Sequence, residues 1–280
     1  MLPAMRIDFT KMHGLGNDFL VLDLPAEAPL PTSAQWRALS DRHTGVGFDQ
    51  ALVLQPARRA GTDAFFRIFN ADGCEVEQCG NGARCVAALL HQRGRNGSDT
   101  LTIDSTAGLL RARVLDADRV MVELGVPNFD PKSLPFEAPE RSASYTLNVG
   151  GERIEIGAVS IGNPHAILRV PAIESAPVER IGSALQADAR FPRQVNVGFM
   201  HVLDAARISL RVYERGVGET LACGSGACAA VAVGRQREWL ASDVEVRVRG
   251  GVLSVHWDGP GHAVWLTGPT QRAFEGRVEV

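Results

Sequence analysis

Apolar and polar residues alternate through most of this chain in runs of four to nine. Residues 5–10 (Met-Arg-Ile-Asp-Phe-Thr) show the period of a half-buried strand. Further strands are predicted at 20–22, 51–54, 64–70, 101–104, 108–114 and 119–124, most of them bounded by Gly, Asp or Asn. Two stretches break the alternation. Val86-Ala87-Ala88-Leu89-Leu90 and Ala229-Ala230-Val231-Ala232-Val233 are continuously apolar, and each follows a turn of small residues. Each predicts a helix that starts just after a cysteine, Cys79 or Cys223. A helix apolar nearly all round has to be buried. A short helix is expected over 36–40, with Thr32-Ser33 as its cap, and another within 173–185. Glycine-rich loops are read at 11–19 and 42–50, and a turn at 96–99. Met5 is a candidate natural start, four residues in.

The second half repeats the order of the first. Strands are predicted at 152–160, 166–170, 195–203, 208–213, 244–249, 251–257 and 262–267. Cys223-Gly224-Ser225-Gly226 lies 144 positions after Cys79-Gly80-Asn81-Gly82, and at that offset Arg67-Ile68-Phe69-Asn70 meets Arg211-Val212-Tyr213-Glu214. Asn17 precedes Cys79 by 62 positions and Asn163 precedes Cys223 by 60. A repeat of this length is a duplicated domain, not a solenoid. The expected architecture is α+β: two pseudo-symmetric domains, each a curved, mostly antiparallel sheet wrapped around its central helix. Residues 1–125 form the first, with 270–280 returning to it, and 126–269 the second. Prolines 127, 131, 135 and 139 mark 126–140 as a linker or crossover. The two cysteine turns are expected to meet where the halves face each other.

Composition narrows the function. The chain has 280 residues, 45% hydrophobic and 22% charged, with a net charge of −3, which gives no sign of a nucleic-acid or membrane surface. No apolar run reaches membrane-span length, and no basic-then-apolar leader opens the chain, so a cytoplasmic protein is expected. Five cysteines do not make a secreted disulfide framework. Their spacings lack the Cys-x2-Cys knuckle of structural zinc sites, so no metal is expected. Reactive thiols at Cys79 and Cys223 fit better, because a helix N-terminus favours thiolate. Cys85 and Cys228 read as small core residues.

Taken singly, Asn17, Asn163 and Asn196 read as turn residues, Glu214 and Arg215 as solvated charges, and His165 as structural. Recurrence in both halves, close in sequence to a thiol, changes that. Two Gly-x-Gly turns opening helices make two anion cradles. Two thiols suit proton removal by one group and proton return by another, which inverts a stereocentre. Backbone donors at the helix starts would hold a carboxylate and stabilise the charge that spreads onto it.

At Met12-His13-Gly14-Leu15-Gly16-Asn17-Asp18-Phe19, Phe69-Asn70-Ala71-Asp72-Gly73, Cys79-Gly80-Asn81-Gly82-Ala83-Arg84-Cys85, Gly162-Asn163-Pro164-His165, Glu214–Thr220 and Ala222-Cys223-Gly224-Ser225-Gly226, the chain resembles the diaminopimelate epimerases. The resemblance implies interconversion of LL- and meso-diaminopimelate without pyridoxal phosphate or any other cofactor, in lysine and peptidoglycan precursor synthesis. It makes Cys79 and Cys223 the acid/base pair, assisted by His165 and Glu214. Gly80, Asn81, Gly224 and Ser225 would hold the reacting carboxylate. Asn17, Gln50, Asn70, Asn163, Asn196, Glu214 and Arg215 would hold the amino groups and the distal carboxylate. It also implies a homodimer. Two positions depart from the family pattern: Cys74 replaces a common Ser, and Phe274 replaces a tyrosine linked to a dimer contact. The alternatives are a proline racemase-like or hydroxyproline epimerase-like enzyme and, from another class, a cysteine-based redox or zinc-binding protein.

Overall fold

A computed structural model describes residues 6–76, 79–94 and 100–279. Met5 and the turn at 96–99 lie outside the described residues. The chain divides into two compact units, Met1–Val122 with Gly268–Val280, and Glu123–Thr267.

The first unit contains β1 (Arg6–Gly14), β2 (Asn17–Asp23), α1 (Ser33–Ser40), β3 (Gln50–Gln55), β4 (Ala64–Asn70), β5 (Glu75–Val76), α2 (Gly80–Gln92), β6 (Thr100–Ser105), β7 (Gly108–Val114) and β8 (Arg119–Glu123). Neighbours run β1-β2-β3-β4-β6-β7-β8, with β5 on β4. The pairs β2/β3 and β4/β6 are parallel and the others antiparallel. Parallel neighbours need a crossover. Here α1 carries the chain from β2 to β3, and α2 carries it from β4 to β6.

The second unit contains β9 (Tyr145–Val149), β10 (Glu152–Ser160), β11 (Pro164–Arg169), α3 (Val178–Gln186), β12 (Asn196–Asp204), β13 (Arg207–Glu214), β14 (Gly218–Glu219), α4 (Gly224–Gln236), β15 (Asp243–Val248), β16 (Gly251–His256) and β17 (Trp265–Pro269). Its order, β10-β11-β12-β13-β15-β16-β17, has parallel pairs at β11/β12 and β13/β15, the same places as in the first unit. The two units differ beside their first strand. There β9 pairs with β10, whereas β1 is paired with the last strand of the chain, β18 (Gln271–Glu279). The α+β class and the mostly antiparallel curved sheets are as expected from the sequence.

The central helices are the crossovers. Asn81 to Leu90 of α2 are all buried, and α2 packs on β1, β2, β3 and β7. In α4, Gly226 to Gly234 are buried against β10, β11, β12, β13 and β16. Each fully buried Val or Leu contributes about 2 kcal/mol, so the apolar runs anchor the cysteine turns that precede them. The duplication extends to an ion pair. Arg67 donates to both carboxylate oxygens of Glu75 (2.8 and 2.7 Å), and Arg211 does the same to Glu219 (2.7 and 2.9 Å).

Three expectations change. The glycine loop at 11–19 is a tight hairpin: β1 and β2 run to Gly14 and from Asn17, and Leu15 and Gly16 both take positive φ (56° and 86°), the backbone of the turns that match strand twist. The proline-rich 126–140 is not a free linker. Phe129, Leu134 and Phe136 are buried, and Asn128 and Ser160 exchange main-chain hydrogen bonds. The short helix expected within 173–185 is present and runs one residue further, over Val178–Gln186, with Pro177 as its N-cap. The strand β9 was not anticipated; Tyr145-Thr146-Leu147-Asn148-Val149 alternates, but it lies beside the proline stretch. No helix among the described residues is long and apolar enough to cross a membrane.

Candidate active site

Cys79 and Cys223 are themselves the N-caps of α2 and α4. Both have extended backbone, and each sulfur accepts from the N–H three residues on, Gly82 and Gly226, at 3.4 Å. Serine or aspartate usually takes this place. Here the capping atom is a nucleophile, held at the positive end of a helix whose first N–H groups have no partner within the helix. The second glycine of each turn is dictated by space. A Cβ at 82 would lie 2.9 Å from Leu52, and one at 226 would lie 2.9 Å from Val212 and 3.2 Å from Cys223 Sγ.

In the first unit the Cys79 thiol donates to Asn17 Oδ1 at 3.8 Å, and Asn81 Nδ2 donates to the same oxygen at 3.2 Å. Behind Asn81, the fully buried Arg84 donates to Asn81 Oδ1 at 2.7 Å. Asn17 Nδ2 donates to Asp49 Oδ2 at 3.0 Å. Asp49 belongs to a charged group with Arg42, Asp18 and Lys11. Arg42 bridges both carboxylates (2.7 Å to Asp49, 2.8 Å to Asp18), and Lys11 pairs with Asp18 at 2.6 Å. Burial opposes ionisation of Asp18, but the hydrogen bonds from Arg42 and Lys11 outweigh it and hold its carboxyl well below the usual range. On the neighbouring strands Gln50 Nε2 donates to Asn70 Oδ1 at 2.9 Å.

In the second unit Ser225 Oγ is 3.6 Å from Cys223 Sγ and accepts from Asn163 Nδ2 at 3.3 Å. His165 is fully buried, with Nε2 3.0 Å from Asn163 Oδ1 and 3.1 Å from Ser225 Oγ. Since Asn163 Oδ1 only accepts, Nε2 carries the ring proton. Burial first, and then the charge of Arg215, push His165 down to about 3, so the ring is neutral at physiological pH. Thr220 donates to Glu214 at 2.5 Å. Burial raises the Glu214 carboxyl despite hydrogen bonds from Thr220 and Cys223. Burial, and then the charge of Glu214, raise the Cys223 thiol well above its ordinary value. Asn196 ties two loops, donating to Pro164 O (3.0 Å) and accepting from the Arg215 N–H (2.9 Å). The Arg215 guanidinium donates to Arg193 O at 3.3 Å.

The expected residues thus fall into two constellations. Asn17, Asn81 and Gly80 adjoin Cys79; Asn163, His165, Glu214, Ser225 and Gly224 adjoin Cys223. Gln50 and Asn70 are hydrogen-bonded neighbours on β3 and β4, and Asn196, at the start of β12, accepts from the Arg215 N–H just after β13. His165 reaches the Cys223 sulfur through Ser225. Sequence reasoning missed Asp49, Thr220 and Arg84. An arginine inside an otherwise apolar helix was the available signal for Arg84.

The family model described as diaminopimelate epimerase matches residues 9–129 and 157–273. The chain is 51% identical over 278 residues to the diaminopimelate epimerase of Alkalilimnicola ehrlichii, covering 99% of this chain and 100% of that protein. It is 48% identical to the diaminopimelate epimerase of Nitrosomonas eutropha, with the same coverage. Among solved structures it is similar to a hydroxyproline epimerase from Agrobacterium vitis (TM-score 0.69, 18% identity, 98% of this chain and 93% of that one). It is also similar to a PhzF-family phenazine biosynthesis protein from Bacillus anthracis (TM-score 0.70, 17% identity, 99% and 100%). At those identities the structures share the fold only.

Proposed function

The chain belongs to the diaminopimelate epimerase family, and from that premise we propose how its own residues carry out the family's reaction. The activity is an isomerisation, LL-diaminopimelate to meso-diaminopimelate and back, a step in lysine biosynthesis. One cysteine, as thiolate, removes the Cα proton. The electron pair left on carbon spreads into the adjacent carboxylate, and the other cysteine, as thiol, returns a proton to the opposite face. Nothing is oxidised, and the two sulfurs exchange protonation states. The roles swap with reaction direction.

The observation that carries this assignment is the sulfur N-cap, built twice. Each cap places a thiol beside free helix N–H groups, where a carboxylate gaining charge is stabilised most. Gly80, Asn81, Gly224 and Ser225 supply those donors. Glu214 and His165 hold Cys223 and Ser225 in place. Asn17, Gln50, Asn70, Asn163 and Asn196 suit the ammonium groups, and the Arg215 guanidinium suits the distal carboxylate. The five free cysteines fit a reducing cytoplasm. A homodimer is the assembly we infer. Phe274 on β18 is 51% exposed and packs edge-on against Phe9 (5.8 Å between ring centres), so a contact made there would be apolar, whereas the family resemblance implies a tyrosine at this place. Sedimentation measures it.

The test is proton exchange in deuterated water. LL-diaminopimelate is expected to gain deuterium at Cα as it epimerises, and L-proline to gain none. Deuterium in proline but not in diaminopimelate rejects the reading.

A further inference from the structure

The hydrogen bonds behind Cys79 form one unbroken line. Arg84 donates to Asn81 Oδ1 (2.7 Å), Asn81 Nδ2 to Asn17 Oδ1 (3.2 Å), and Asn17 Nδ2 to Asp49 Oδ2 (3.0 Å), while Arg42 donates to Asp49 Oδ1 (2.7 Å). A side-chain amide can turn over, exchanging its donor and acceptor faces. These two are constrained from both ends. A guanidinium only donates, so the face of Asn81 towards Arg84 is oxygen. A carboxylate only accepts, so the face of Asn17 towards Asp49 is nitrogen. Both constraints give the same polarity, and its consequence is an oxygen, Asn17 Oδ1, facing the Cys79 sulfur at 3.8 Å.

The second unit has neither end. Residue 228, equivalent to Arg84, is a cysteine, and the residue before Asn196, which stands where Asp49 precedes Gln50, is the apolar Val195. There Ser225 Oγ accepts from Asn163 Nδ2, which leaves the serine hydrogen for Cys223 Sγ.

We propose that Arg84 and Asp49 are positioning residues that lock Asn81 and Asn17 from opposite ends, so that Cys79 meets a carbonyl oxygen while Cys223 meets a hydroxyl hydrogen. The locked oxygen suits the protonated form of Cys79 and, once that proton has left, offers the freed lone pair to a substrate ammonium. That role rests on the proposed function; the amide orientation does not. Among the described residues, the charged and titratable groups around this thiol are Arg84 and Cys85 on its own helix, and Asp49, Arg42, Asp18 and Lys11 on the loop and strands behind Asn17.

The experiment follows iodoacetamide alkylation of Cys79 against pH by peptide mapping, with Cys223 in the same molecule as the internal reference. Asp49→Asn and Arg84→Met, made singly, each leave one end of the lock. The lost charges then move the Cys79 midpoint in opposite directions, down for Asp49→Asn and up for Arg84→Met. In the double variant those charge effects oppose each other, and neither end holds the amides. Asn17 can then turn its nitrogen to the thiolate, and the midpoint is expected to fall by about one pH unit below the unaltered protein. A double variant whose shift is the sum of the single shifts overturns the lock, and so does an equal shift at Cys223. Because Arg84 is buried, the double variant has a companion that needs no substitution. Neutron diffraction from deuterium-exchanged crystals of the unaltered protein locates the amide deuterons. They are expected on the atom of Asn17 that faces Asp49; deuterons on the atom facing Cys79 overturn the proposal. Both readouts are independent of epimerase activity, so loss of the proposed function and loss of the lock are separately visible.

Discussion

Cys79 and Cys223 cap equivalent helices in two copies of one sheet order, yet their surroundings have diverged in charge. Cys79 is backed by a buried guanidinium, two amides and an ion-pair cluster. Cys223 is backed by a neutral buried imidazole, a serine and a carboxyl raised by burial. The fold kept what positions the sulfur: the crossover helix, the close-packed glycine and the Arg-Glu pair on the preceding strands. It changed what sets the sulfur's protonation. A two-base inversion needs one sulfur as thiolate and the other as thiol, with the two states exchanged at each turnover, and unlike surroundings make the two sites chemically distinguishable. Strict symmetry would favour neither arrangement.

Replacing either thiol tests the functional half of this comparison and has the largest expected effect. Cys79→Ser and Cys223→Ser, assayed separately, are each expected to lose about a thousandfold in kcat, since a serine is a far weaker base. Full racemisation by either one alone ends the two-base reading.

The ion pairs come next. The Asp18 carboxyl is held below its ordinary value, so the folded state binds its proton less readily than the unfolded chain does. The stability this gives is present above about pH 4 and is lost as the pH falls through the lowered range. Asp18→Asn is expected to cost about 2 kcal/mol at pH 7, with the gap closing on acidification. The equivalent residue in the second unit is Pro164, which has no charge to lose. A gap that does not change with pH contradicts the assignment.

Glu214→Gln sharpens the other side. After burial, its negative charge is the next cause that raises the Cys223 thiol, so removing it is expected to lower the pH at which Cys223 is alkylated and to reduce kcat by about tenfold. An unmoved Cys223 midpoint shows that the carboxyl does not act on the sulfur.

The smallest effect is expected at His165→Phe, which copies Phe19 from the equivalent place. His165 stays neutral down to about pH 3, whereas an unfolded histidine takes a proton near 6.5. Below 6.5 the unfolded state therefore binds more protons, and stability falls by roughly 1 kcal/mol per pH unit as the pH drops. The variant loses that slope. Chemical denaturation at pH 7 and pH 5 reads it, and equal slopes in the two proteins contradict a buried neutral imidazole.

Much of the fold was legible along the chain. Alternation gives strands, and a continuous apolar run after Cys-Gly-x-Gly gives a buried helix with the cysteine at its start. The 144-residue offset that links Cys79 to Cys223 also links two arginines, Arg67 and Arg211, and the structure pairs both in the same way. The stretch 126–140 misled because proline content reads as a linker, while burial of Phe129 and Phe136 depends on partners far along the chain. Two-residue strands such as β5 and β14 carry no period to detect.

Spacing and residue type alone determined which thiols cap helices, because an N-cap is a local event within four residues. Tertiary structure alone decided what each thiol meets. Asn81 and Arg84 share one turn of α2, but Asp49 and Asn17 are brought together from separate elements, and the sign of a hydrogen-bond line depends on the groups at both ends, so the local sequence sets only one of them.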